Sequence, residues 1–106
     1  MTKGVLFRIF VLEGQRHHHE LLYDWLLRIA RDMGIMGGAA FREIAGYGRH
    51  ERLHERSFFE LAGDLPVEVV FAMTDVDAKK FQDLLARETP SLFCIKSPCE
   101  FGHIGE

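Results

Sequence analysis

Residues 5–12 read VLFRIFVL, a run of β-branched and aromatic side chains that is apolar on both alternating faces except at Arg8. Such a run predicts a strand in the middle of a sheet, covered on both sides. Residues 67–73, VEVVFAM, predict a second strand of the same kind. Residues 39–45 and 91–101 predict two further strands, the latter interrupted at Pro98, and residues 57–61 predict a short returning strand.

Two helices separate these strands. The first is predicted to start at Glu20 and to end at Gly34, and the second to begin at Thr74 or Asp75 and to stop before Pro90. Apolar residues recur at helical spacing in the first helix: Leu22, Trp25, Leu26, Ile29 and Met33. The order strand, helix, strand, strand, helix, strand predicts an α+β fold of the ferredoxin-like type (βαββαβ), an antiparallel sheet with two helices on one face.

One face of such a sheet has no helix over it. The strands predicted at residues 5–12 and 67–73 are nevertheless apolar on both faces. We therefore expect a second subunit to cover the open face and the chain to be an oligomer. The sequence does not say which side chains of the first strand point towards the helices.

The bulk composition is that of an ordinary soluble protein, with one predicted domain covering residues 1–106. A net charge of −3 argues against a nucleic-acid partner. We also expect no membrane insertion and a cytoplasmic location, since there is neither an apolar run of membrane-spanning length nor a secretory signal.

Cys94 and Cys99 are five residues apart. Extended chain would separate their Cα atoms by about 16 Å, beyond disulfide reach, although a bend at residues 97–98 could shorten that distance. Two unpaired thiols are therefore predicted, with a redox pair as the alternative.

A long loop, residues 46–64, is the strongest functional candidate. Gly46 and Gly48 allow backbone N–H groups to turn towards an anion, and Arg42 on the preceding strand adds a fixed guanidinium. The loop's own basic side chains are Arg49, His50, Arg52, His54 and Arg56. Together these groups favour a phosphate or carboxylate ligand. A solvated loop whose charges compensate one another is the alternative.

The same loop contains the zinc-peptidase spacing His-Glu-x-x-His at residues 50–54. A catalytic zinc needs a third protein ligand and a packed helix, yet Leu53 is the one apolar residue between positions 49 and 56. We therefore expect that zinc does not confer peptidase activity, and a zinc-dependent hydrolase using His50, Glu51 and His54 is the third hypothesis. A metal site that uses His17 and His18 together with His50 and His54 is a second alternative.

Several stretches spread along most of the chain resemble a known family. They are Arg8-Ile9-Phe10-Val11 followed by Glu13 and Arg16, His18 ahead of Leu22-Tyr23, Ala30-Arg31, Gly34-Ile35-Met36-Gly37-Gly38-Ala39, Arg42, Gly46-Tyr47-Gly48, Leu53-His54 and Asp64-Leu65-Pro66-Val67. The family is that of small, largely uncharacterised bacterial and archaeal proteins with a PII-like fold, long catalogued as a domain of unknown function. Two segments depart from its pattern: residues 19–21, at the entry to the first helix, and His50-Glu51.

The resemblance implies a homotrimer with the open sheet faces packed inside. It also implies that a small effector, often an adenine nucleotide, binds in clefts between subunits, and that the 46–64 loop signals to a regulated protein. The ligand-binding positions that it and the charge pattern predict are Glu13, His18, Arg42, Gly46, Gly48, Arg49, Arg52 and His54. The leading prediction is thus a PII-like trimeric regulator, not an enzyme, with a small anionic effector. A metal-binding trimer of the cation-tolerance type, holding a divalent metal, is the runner-up.

Overall fold

The computed structural model of the protein describes residues 1–47 and 65–105. The predicted strand at residues 57–61 lies outside them. The elements in chain order are β1 (Thr2–Leu12), β2 (Arg16–His17), β3 (Glu20–Leu21), α1 (Leu22–Asp32), β4 (Gly38–Arg42), β5 (Pro66–Met73), α2 (Asp75–Glu88) and β6 (Phe93–Phe101).

Four of the strands form one antiparallel sheet in the order β4-β5-β1-β6. The two apolar runs therefore become its central strands, as the sequence predicts. This strand order, with antiparallel neighbours throughout, is that of the ferredoxin-like fold, in which both helices lie on the same side of the sheet. The predicted α+β fold class is confirmed.

The core lies between one face of the sheet and the two helices. Phe7, Ile9 and Val11 point into it from β1, and the odd-numbered residues of β5 join them. Phe81 of α2 is fully buried and meets the rings of Phe7 and Phe71 edge-on, with centroids 5.7 and 5.3 Å apart. From α1 the buried side chains are Leu22, Trp25, Leu26 and Ala30.

The opposite face of the sheet carries no helix among the described elements, and we call it the open face. The strand registers place on it the following side chains: Leu6, Arg8, Phe10 and Leu12 of β1; Glu68, Val70 and Ala72 of β5; Phe93, Ile95, Ser97 and Cys99 of β6; and Ala39 and Phe41 of β4. Phe93 is 69% exposed and Phe41 56% exposed. The predicted uncovered apolar face therefore exists in the single chain.

The start of the first helix differs from the prediction. Glu20 does not begin α1 but pairs with His17 in a short hairpin, and Arg16 pairs with Leu21. The hairpin turns through His18 and His19, which both take positive φ values of 50° and 71°. This is the backbone geometry of a two-residue hairpin loop, and it moves the helix start to Leu22.

Two of the predicted strands also differ from the structure. Strand β4 ends at Arg42 rather than at residue 45. Strand β6 runs without interruption through Pro98, which lies opposite Val5. Because β6 is at the edge of the sheet, a residue without a backbone N–H is tolerated there.

The two cysteines are free. Cys94 lies opposite Ile9, whose side chain faces the helices, whereas Cys99 lies opposite Gly4, which belongs to the other face of β1. The thiols therefore emerge on opposite faces of one continuous strand. The bend at residues 97–98 that a redox pair would need is absent from β6, so two unpaired thiols is the correct prediction.

Candidate functional site

Arg42 and Glu13, both predicted as ligand-binding positions, meet in the structure. Arg42 is the last residue of β4 and Glu13 follows directly after β1. Strand β5 lies between those two strands, and the guanidinium Nη2 of Arg42 reaches past it to a carboxylate oxygen of Glu13. The Arg42 side chain is 58% exposed and that of Glu13 26% exposed. The pair thus presents a cation at the surface, with a carboxylate of the same chain already against it.

Backbone hydrogen bonds tie the same place together. The N–H of Glu13 donates to the carbonyl of Leu65 at 2.7 Å, and the N–H of Glu43 donates to the carbonyl of Pro66 at 2.9 Å. The chain leaves the sheet after Arg42 and returns to it at Pro66, and these bonds and the ion pair hold Glu43 and Leu65 beside the sheet. We call this arrangement of Glu13, Arg42, Glu43, Leu65 and Pro66 the loop base.

Gly46 lies just beyond the loop base. A Cβ atom at this position would come within 2.7 Å of Glu43 Oε1. The glycine therefore lets the backbone pass close to that carboxylate. Tyr47 follows with 84% of its surface exposed. The other predicted loop positions, Gly48, Arg49, Arg52 and His54, lie outside the described residues.

The histidines of the hairpin turn have unlike surroundings. His18 is exposed, whereas His17 is buried and packs its ring against Trp25, with centroids 4.3 Å apart. The rings of His17 and His18 are also adjacent, at 4.1 Å, and the Nε2 of His17 has no hydrogen-bond partner among the described residues. His17 thus acts as a packing residue that orients the hairpin on α1.

The alternative metal site would use these two histidines with His50 and His54, which lie outside the described residues. Within residues 1–47 and 65–105, no group of three or more His, Cys, Asp or Glu side chains is placed to hold a metal ion. Among the described helices, none combines the length and the apolar character needed to cross a membrane.

The prediction missed a groove of about 580 Å³ between α1 and the start of β4. Its floor includes Phe71, which Gly38 exposes: a Cβ at Gly38 would come within 2.5 Å of that ring. Arg28 of α1 donates to both carboxylate oxygens of Glu20 at its rim, at 2.6 and 3.4 Å. This hydrogen bond holds the pKa of the Glu20 carboxyl below its ordinary value and raises the pKa of Arg28. Glu20 can make the contact because it sits in β3 rather than in the helix.

Comparison with known proteins gives matches over most of the chain. The model of a family described as "Uncharacterized ACR" matches residues 4–98. The UPF0166 protein of Aquifex aeolicus is 33% identical over 81 residues, which cover 76% of this chain and 77% of that protein. The UPF0166 protein of Methanocaldococcus jannaschii is 33% identical over 67 residues, covering 63% of this chain and 61% of that protein.

Solved structures with the same fold are distant in sequence. CPII, a nitrogen regulatory PII-like protein from Thiomonas intermedia K12 solved with ADP, AMP and bicarbonate, superposes with a TM-score of 0.65 at 10% identity over 96% of both chains. A protein from Thermus thermophilus described as a putative PII-like signaling protein gives 0.59 at 14% identity over 93% of this chain and 91% of that one. At these identities the likeness shows the fold, which is PII-like.

Proposed function

This chain belongs to the "Uncharacterized ACR" family, DUF190, and we propose that it is a PII-like signalling protein. It would be a single domain that assembles as a homotrimer and binds a small anionic effector at the loop base. The site would lie in a cleft between subunits, and residues 46–64 would pass the signal to a regulated protein partner. The protein would act by binding, not as an enzyme, in the cytoplasm. The observation that carries the proposal is the position of Arg42, which ends strand β4 shortly before residues 46–64 and pairs with Glu13.

The chemistry of the loop base supports an anion as the ligand. An arginine whose backbone is fixed on a strand loses less conformational entropy on binding than one on a long loop. Its guanidinium also offers a fork of donors that matches a phosphate or carboxylate. Arg49, Arg52 and His54 would add positive charge from the residues that follow. Exposed His18 is the further candidate contact from the hairpin.

An adenine nucleotide is the effector that we favour. The structurally similar CPII protein was solved with ADP and AMP, together with bicarbonate, and each of these ligands is an anion. ADP is therefore the first probe to use on this protein.

The open face supports the homotrimer. It carries large apolar side chains that water would otherwise contact, such as Phe93 and Phe41. Contiguous apolar patches of this kind mark interaction surfaces in soluble proteins. Packing the open faces of three copies against each other would remove these side chains from water.

Replacing Arg42 with alanine should weaken ADP binding by about ten- to a hundredfold, since a charge-assisted hydrogen bond contributes roughly 1.5–3 kcal/mol. Calorimetric titration of ADP into both proteins measures the change. Arg87→Ala provides the matched control, because Arg87 is exposed in the last turn of α2 and removes the same charge from another surface. Equal affinity in wild type and Arg42→Ala would show that the effector binds elsewhere.

Glu13→Gln should have the opposite effect and tighten ADP binding by about two- to fivefold. The Glu13 carboxylate accepts a hydrogen bond from the Arg42 guanidinium that the effector would also use, so the two compete. An exposed ion pair of this kind contributes roughly 0.2–1 kcal/mol, which the effector no longer has to overcome in the variant. The same titration tests this, with Glu88→Gln on α2 as the control that changes net charge equally. Weaker binding by Glu13→Gln would instead make Glu13 a direct ligand of the effector.

A further inference from the structure

The open face contains one cation and one anion, and they are paired with each other. Across the described strands, Arg8 and Glu68 are the charged residues on that face. Arg8 Nε donates to Glu68 Oε1, and the Arg8 guanidinium also lies 5.6 Å from the centroid of the Phe10 ring. The face formed by these strands is therefore electrically neutral.

The pair sits in the middle of the sheet. Strands β1 and β5 are its two central strands. Arg8 lies opposite Val70 and Glu68 lies opposite Phe10, so the two charged side chains are diagonal neighbours on the same face. The side chains are already partly covered, 38% exposed for Arg8 and 20% for Glu68. Any partner that covers the open face will bury both charges together.

Burial makes such a pair selective. Two paired charges contribute little net stability once they leave water, but a charge without its partner in the same place is strongly unfavourable. A partner whose surface is apolar throughout would leave the free donors and acceptors of the pair unsatisfied. A second copy of this chain presents the same neutral pair, so the two can complement each other when the copies adopt one relative position.

We infer that the Arg8–Glu68 pair is a registry element of the homotrimer: it selects how copies of this chain pack their open faces, rather than adding to the strength of packing. The inference rests on the proposed trimer, and it names two residues that fix the geometry of the interface. Slipped arrangements of the same apolar face are excluded because they bury the pair against hydrocarbon.

The test uses the full chain and four variants: Arg8→Leu, Glu68→Leu, the double variant with both changes, and a charge swap, Arg8→Glu with Glu68→Arg. Mass photometry and light scattering across a dilution series give the stoichiometry and the dissociation midpoint. The fluorescence of buried Trp25 reports whether each variant is folded. The matched control removes another ion pair, Lys79–Asp83 on exposed α2, by replacing both residues with leucine.

We expect each single variant to dissociate at concentrations at least about a hundredfold higher than wild type, because one buried charge is left unpaired. The double variant should regain most of that affinity but form a mixture of stoichiometries, and the charge swap should restore one stoichiometry. The Lys79–Asp83 control should behave as wild type.

Three results would overturn the inference. A wild-type trimer with unaffected single variants would leave the trimer standing and remove the role of the pair. A double variant that is folded yet as weakened as the single variants would mean that the pair supplies affinity and not selection. A wild-type monomer would refute the trimer and the registry role together, while ADP binding at the loop base would still be tested by Arg42→Ala.

Discussion

Phe93→Asp should convert the assembled protein into monomers. Phe93 is 69% exposed in the single chain and packs beside Phe10 on the open face, with ring centroids 5.5 Å apart. A carboxylate there remains solvated in the monomer but loses its water in the proposed trimer. An unpaired buried charge costs roughly 3–5 kcal/mol, which weakens each contact by about a hundred- to a thousandfold or more.

Light scattering at micromolar concentration measures the outcome, with wild type expected at the mass of a trimer. Val76→Asp is the matched control, since Val76 is 64% exposed on α2, on the helix side of the sheet. It introduces the same charge and should leave the mass unchanged. If Phe93→Asp keeps the wild-type mass, the open face is not where the copies meet.

Gly4→Ala should be the most damaging small change to the fold itself. A Cβ atom at Gly4 would collide with the carbonyl oxygen of Met73 and lie 2.8 Å from the Phe101 ring. The carbonyl belongs to the backbone of β5, so it cannot rotate away and the strands must separate locally. Overpacking of this kind lowers the free energy of unfolding by about 1–3 kcal/mol.

Urea unfolding of both proteins at equal concentration provides the measurement, because the stability of an assembling protein depends on its concentration. Gly37→Ala is the control: a Cβ at Gly37 meets nothing within 4 Å among the described residues. That variant should differ from wild type by less than about 0.5 kcal/mol. Equal urea midpoints for Gly4→Ala and Gly37→Ala would show that β1 and β5 can separate at Gly4 without loss.

The sheet was predictable because its central strands carry an unusually clear signal. Except at Arg8 and Glu68, residues 5–12 and 67–73 are apolar on both faces, and that pattern indicates central strands whatever their register. Register itself is not in the pattern. Arg8 stands out as the one charge in its run, but that its partner is Glu68, sixty positions away, follows only from how β1 and β5 align.

The hairpin at residues 16–21 was not predicted because its turn lacks the usual turn residues. Two-residue hairpin loops are usually marked by Asn-Gly or Asp-Gly, because both positions need positive φ. Here His18 and His19 occupy those positions, and side chains of this size give no such signal. The error displaced the helix start and with it Glu20, so the groove beside Arg28 was also missed.

The sequence predicts Glu13 and Arg42 as ligand-binding residues, but it does not predict the contact between them. That contact joins positions 29 apart, across an intervening strand. The sequence shows Arg42 as a fixed cation, whereas the structure shows it with a carboxylate already in place. The contact that leads us to propose competition between that carboxylate and an effector could not be inferred from spacing.

The loop base also has a consequence for how this family can diversify. Its contacts hold the chain at Glu43 and Leu65, so the backbone hydrogen bonds and the Glu13–Arg42 ion pair offset part of the entropic cost of closing the connection between those two residues. Closure cost rises slowly with loop length, by about 0.6 kcal/mol for each doubling. Insertions, deletions and new sequence between those anchors can therefore accumulate with little penalty to folding. Relatives sharing this scaffold would be able to change the sequence between those anchors while retaining the same strands.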